Sequence, residues 1–116
     1  MVKIEGNKIT MTRGDTLRAA VAMTRDGTEY TPVEGDSVRF AMKNKKMTFG
    51  NKEYTDADPL ILKSIPIDTM ILELDPEDTK PYSFGEYVYD IEITFANGRV
   101  DTFITNSPFI LSPEVH

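Results

Sequence analysis

Apolar residues fall on every second position through much of this chain. The clearest run is Gly85 to Phe95, GEYVYDIEITF, in which Tyr87, Tyr89, Ile91, Ile93 and Phe95 alternate with Val88, Asp90, Glu92 and Thr94. Successive side chains of a strand point to opposite faces, so this spacing predicts a strand with one large apolar face. Asn97-Gly98 follows, and then a second run from Arg99 to Thr105. Together they predict a hairpin closed by a type I′ turn, because Asn-Gly tolerates positive φ at both central positions. A two-residue loop sets the register. Phe95 would face Val100, Ile93 would face Thr102 and Ile91 would face Ile104, with Ala96 opposite Arg99 at the loop. On the polar face Thr94 would meet Asp101, Glu92 would meet Phe103 and Asp90 would meet Thr105.

Alternation and turn residues recur along the rest of the chain. Met1 to Gly6 reads as a frayed lead-in and Lys8 to Thr12 as a short strand. Arg13-Gly14-Asp15 reads as a turn. Thr16 to Thr24 alternates, with Leu17, Ala19, Val21 and Met23 on one face, and is expected to be one strand. Thr28 to Thr31 and Ser37 to Lys43 are further strands, separated by the Glu34-Gly35-Asp36 turn. The irregular stretch from Asn44 to Pro59 can pair Met47-Thr48-Phe49 with Lys52-Glu53-Tyr54 across Gly50-Asn51. Leu60 to Ile65 and Met70 to Leu74 are apolar and β-prone. Asp75-Pro76 suits the cap and first position of one helical turn. Ser107-Pro108 is expected to break the last ladder, with Phe109 to Leu111 resuming it after a bulge or a change of sheet.

About seven strands with turn signals every 8–12 residues predict an immunoglobulin-like antiparallel β-sandwich, one domain over residues 1–116. The expected core is Leu17, Ala19, Val21, Val38, Phe40, Met42, Leu72, Leu74, Tyr87, Tyr89, Ile91, Ile93, Val100 and Ile104. Tyr87 stands where such domains place the tyrosine of a tyrosine corner, and Tyr89 stands where the second cysteine would be. The expected role of Tyr87 is a hydroxyl bonded back to the connection from Asp75 to Phe84.

Composition narrows the function classes. The 116 residues are 40% apolar, enough for a packed core. There is no cysteine, so disulfides and thiolate metal sites are excluded. The one histidine, His116, offers no Ser-His-Asp set. A net charge of -6 argues against nucleic acid as a partner. No apolar run approaches a membrane span, and the first residues lack the apolar stretch of a secretion signal. No cofactor-binding pattern is present.

Several clusters carry candidate chemistry. Asp90, Glu92 and Asp101 are expected near each other on one face, where paired carboxylates can do acid–base work, although alternating polar residues on a strand are more often just the wet side of a sheet. Glu53, Asp56 and Asp58 offer oxygen ligands for calcium without the spacing of a calcium loop. Arg13-Gly14-Asp15 spells an integrin-binding triplet, taken here as a turn. Lys43-Asn44-Lys45-Lys46 is the one dense basic cluster. Phe103, expected outward beside Glu92, marks a possible contact surface. Phe49 and Tyr54 on the loop from 44 to 59 supply aromatics that can stack on sugars.

Several stretches resemble a known group of proteins: MTRGDT (Met11 to Thr16), GDSVRFAMK (Gly35 to Lys43), DPLILKSIP (Asp58 to Pro66), LELDPEDTKPYSFGEYVYDIEI (Leu72 to Ile93), NGRVDTFI (Asn97 to Ile104) and LSPEVH (Leu111 to His116). They resemble small uncharacterised structural proteins of phages and prophages of Gram-positive gut bacteria. More remotely, the pattern is similar to the N-terminal β-sandwich domain of phage baseplate upper proteins. The resemblance implies a non-enzymatic structural or assembly module of a particle, in the virion or in the bacterial cytoplasm before assembly. Its implied partners are other virion proteins or further copies of itself, as a homo-oligomer. It implies no catalytic residue. The alternative expectation is a carbohydrate or cell-surface binding module that uses the loop from 44 to 59.

Overall fold

The computed structural model describes residues 2–25, 27–44, 47–49, 52–54 and 59–113, with the side chains of 25, 47–49, 52–54 and 106 excepted. Alternating apolar positions turn most of these residues into strands, and the fold is all-β. In chain order the elements are β1 (Val2–Glu5), β2 (Lys8–Thr12), β3 (Leu17–Ala20), β4 (Met23–Arg25), β5 (Thr28–Tyr30), β6 (Ser37–Asn44), β7 (Met47–Phe49), β8 (Lys52–Tyr54), β9 (Ile61–Ile65), β10 (Ile71–Leu74), α1 (Pro76–Thr79), β11 (Gly85–Thr94) and β12 (Val100–Ser112). A six-stranded sheet runs in the order β1-β2-β12-β11-β6-β9, and three two-stranded sheets pair β10 with β3, β4 with β5 and β7 with β8. The β12–β2 pairing is parallel, with Phe109 beside Ile9 and Leu111 beside Met11, so the large sheet is mixed and not wholly antiparallel as expected.

The six-stranded sheet and the β10–β3 sheet share one core. Leu17 from β3 and Leu72 and Leu74 from β10 are buried in the same cluster as Phe40, Met42, Ile91, Ile93 and Phe109. Burying each such side chain contributes about 1.5–3 kcal/mol, so these contacts hold the layers together. Phe40, Tyr89 and Phe109 stack at ring-centroid distances of 5.4 to 6.2 Å. The cluster also takes in Met11, Met23, Ile61, Ile65 and Leu111, none of them among the expected core residues.

Four further expectations need correction. First, the final hairpin closes through three residues, Ala96, Asn97 and Gly98. Phe95 N donates to Arg99 O at 2.8 Å, and Gly98 N donates to Phe95 O at 2.8 Å. Gly98 has φ 90, while Asn97 keeps a negative φ, so a type I′ turn cannot form. The register moves with the loop: Thr94 faces Val100, Ile93 faces Asp101 and Glu92 faces Thr102. Val100 therefore shares the outer face of Thr94 and is 51% exposed, not in the core. Ile91 still faces Ile104, because a bulge between Ile91 and Glu92 absorbs the difference. Second, residues 2–5 are β1, paired with β2 across Gly6-Asn7. Third, Thr16 to Thr24 is not continuous. β3 stops at Ala20: Val21 N still donates to Met70 O at 2.8 Å, but Met70 turns the partner strand away with φ 52, and Met23 begins a separate hairpin with β5. Fourth, Ser107-Pro108 does not interrupt β12: Ser107 faces Tyr89 and Pro108 faces Val88 after a second irregularity.

Candidate interaction surface

The outer face of the six-stranded sheet carries a groove of about 300 Å³. β6 supplies Arg39, Ala41 and Lys43, β11 supplies Asp90 and Glu92, and Pro59 and Leu62 close one side. The register places Glu92 opposite Arg39 and Asp90 opposite Ala41. The Arg39 guanidinium donates to Glu92. Lys43 reaches diagonally to Asp90, with Nζ to Oδ2 at 2.9 Å. Both members of that second pair are mostly shielded, at 26% and 18% side-chain exposure, so salt screens it less than a free surface pair. Beside these ion pairs Leu62 is 52% exposed. The floor thus alternates positive and negative charge along a pleated surface, with an apolar lip.

This arrangement disposes of the carboxylate trio expected on one face. Asp101 faces Ile93 and so lies on the opposite side of the sheet from Glu92. Asp90 and Glu92 are each held by a cation. Phe103 is also displaced from its expected place. It is the extra residue of the β12 bulge, since the partners step from Ile104 to Thr102. It is half-buried and packs against the core instead of standing outward beside Glu92. Of the expected contact residues, Glu92 therefore lies in the groove and Phe103 does not. The side chains of Phe49, Tyr54 and Glu53, together with Asp56 and Asp58, lie outside the described residues, as do Lys45, Lys46 and His116. The β7–β8 hairpin expected around Phe49 and Tyr54 is formed, with Met47 facing Tyr54.

Arg13 is bound within the fold. Its guanidinium lies 4.4 Å from the Phe84 ring centroid and donates to Tyr82 O at 3.4 Å. Gly14 N donates to the Thr79 hydroxyl, which is fully buried, at 2.8 Å. The Arg13-Gly14-Asp15 turn is thereby tied to the corner before β11. Tyr87 completes that corner, with its hydroxyl donating to Ser83 O at 2.8 Å. Among the described residues no cluster of acidic or histidine side chains suits a metal ion. No helix among them is long and apolar enough to cross a membrane.

The residues that the local pattern missed are Arg39 and Leu62. Alternation puts Arg39 and Lys43 outward on one strand and Asp90 and Glu92 outward on another. The matching spacing of opposite charges is the only signal that the two strands lie side by side. Comparison of the chain with protein-family models, with curated proteins and with solved structures finds no match.

Proposed function

We propose that this chain is a non-enzymatic structural or assembly module of a phage or prophage particle, in the tail, baseplate or head–tail region. In this proposal it is an immunoglobulin-like sandwich that works through protein contacts, in the virion or in the bacterial cytoplasm before assembly. The sandwich assignment is supported by the β10–β3 sheet that shares the core of the larger sheet and by the Tyr87 corner.

The observation that carries the functional reading is the pair of sheet edges. The six-stranded sheet ends on β1 and β9, and each edge strand bears an exposed large apolar residue, Ile4 at 47% and Leu62 at 52%. Edge strands with free backbone groups and apolar side chains are templates for partner chains. Mass spectrometry of purified particles from an induced lysogen tests the proposal. The chain is expected among the particle proteins at a fixed ratio to them, and its repeated absence would rule the role out.

A further inference from the structure

We infer that β1 is a self-association edge, and that two copies of this chain pair antiparallel through it about a two-fold axis at Ile4. The contact is one between copies and holds whether or not the chain belongs to a particle.

Gly6 has φ 59 and Asn7 does not have a positive φ, which makes Gly6-Asn7 a two-residue hairpin loop of the II′ kind. Glu5 and Lys8 close it, and Ile4 faces Ile9. In such a hairpin the closing pair exchanges hydrogen bonds, and antiparallel pairs then alternate. The backbone N–H and C=O of Ile4 consequently point away from β2, toward the open edge. Among the described residues β1 pairs with β2 alone.

The side chains then select one register. Val2 and Ile4 share the inner face with Met11 and Ile9, while Lys3 and Glu5 share the outer face with Thr10 and Lys8. Residues opposite each other in a sheet lie on one face. Centring two antiparallel copies on Ile4 puts Ile4 against Ile4 and Lys3 against Glu5 of the second copy, twice by symmetry. Moving the centre to Lys3 or to Glu5 sets like charges opposite each other. A shift by half a step would put Lys3 against Ile4 and mix the faces. The register at Ile4 is thus the one in which charge, hydrophobicity and backbone direction agree, as a two-fold contact requires. Among the described residues Lys3 and Glu5 pair with each other at 2.9 Å, both more than 60% exposed, and can exchange partners.

The apolar side of the contact also has a destination. A groove of about 210 Å³ opens beside β1, lined by Ile4 and Ile9, by Ala19 and Val21 at the edge of the second layer, and by Ile104. Among the described residues the β10–β3 sheet has two strands against six in the larger sheet, and Ile4 is left 47% exposed. Ile4 of the second copy, side by side with its counterpart, shields that mouth from water.

Sedimentation velocity of the full chain over a concentration series tests the inference. The wild-type chain is expected to shift from 13.1 kDa toward twice that mass as concentration rises. Lys3→Glu sets a glutamate opposite Glu5, and Glu5→Lys sets a lysine opposite Lys3. Each variant alone is expected to dissociate about tenfold more readily or worse. Mixed in equal amounts, the two variants re-form both opposite-charge pairs, and the heterodimer is expected to return. Ile4→Pro removes the outward N–H and leaves the ladder to β2 in place. It is expected to be monomeric with a melting temperature close to wild type, which separates a lost contact from a lost fold. A wild-type chain that stays monomeric throughout overturns the inference. So does a dimer indifferent to these substitutions, or a mixture that fails to recover.

Discussion

Tyr87 and Gly35 each fix a local feature of this fold, by different means. Tyr87 is buried, and its hydroxyl donates to Ser83 O four residues earlier, which pins the corner that feeds β11. Tyr87→Phe removes that bond and little packing, so it is expected to lower stability by about 1 kcal/mol. Tyr87→Ala also empties the core, and a loss of about 3–5 kcal/mol is expected. Urea unfolding of both variants measures the two values, and a Tyr87→Phe variant as stable as wild type would show that the hydroxyl contributes nothing beyond its ring. Gly35 has φ +96, and a Cβ built there meets the Ala96 Cβ at 2.8 Å. Gly35→Ala therefore combines backbone strain with overlap and is expected to destabilise by about 1–3 kcal/mol. Adding Ala96→Gly should recover only the steric share, as judged from thermal melts of the single and double variants. Both positions stand at the end of a recognisable pattern. The tyrosine corner is legible because its spacing is local. The close approach of Gly35 to Ala96 is not, since it joins residues 61 apart in the chain.

At the scale of elements, α1 and the final hairpin show how far local signals reach. Asp75-Pro76 announces the helical turn, and the turn is there. Asp78 then takes two roles, accepting from Asp75 N at 2.7 Å and pairing with Lys63 of β9 at 2.9 Å. Asp78→Ala should lose the cap and release β9 from the turn, a cost of about 0.5–2 kcal/mol in a urea titration. A loss much smaller than that would mean that the turn is held by Pro76 and the buried Thr79 alone. In the final hairpin, local sequence indicated two strands and the residues between them, but not the loop type. Asn-Gly fits a two-residue loop as well as a three-residue loop with Gly in the left-handed position. The tertiary packing of Ile91 against Ile104 resolves that choice. It keeps the core pair and places the bulge at Phe103.

For the whole molecule, the buried centre and the periphery respond to pH in the same direction. Tyr89 lies between Phe40 and Phe109, its hydroxyl donating to Asn7 O, and burial pushes its phenol above the ordinary tyrosine value. Lys63 is raised mainly by its hydrogen bond to Asp78, against a smaller opposing effect of burial. In both cases the fold favours the protonated group. The stability each contributes is complete below the unfolded value and is lost as pH rises through the higher folded value. Thermal stability is therefore expected to stay level through neutral pH and fall above about pH 10. Tyr89→Phe should flatten part of that fall, since phenylalanine cannot ionise. A fall of the same steepness in that variant would assign the effect to other groups.

Local chemistry by itself determined that this chain is a β protein, where most of its strands lie, which face of each is apolar, and where Gly, Asn and Pro turn the backbone. Those features depend on residues within a few positions of one another, and alternation records them directly. Alternation says which way a side chain points and never which strand lies beside it. Only the tertiary structure decided that β2 runs parallel to β12, that β6 sits between β11 and β9, and that β3 joins β10. The Arg39–Glu92 and Lys43–Asp90 pairs, the docking of Arg13 on Phe84 and the burial of Phe103 all follow from those adjacencies. The same holds for the open edge at β1. Its residues are polar and apolar in turn, like those of any strand, and it becomes an edge because five other strands close the sheet on one side of it only.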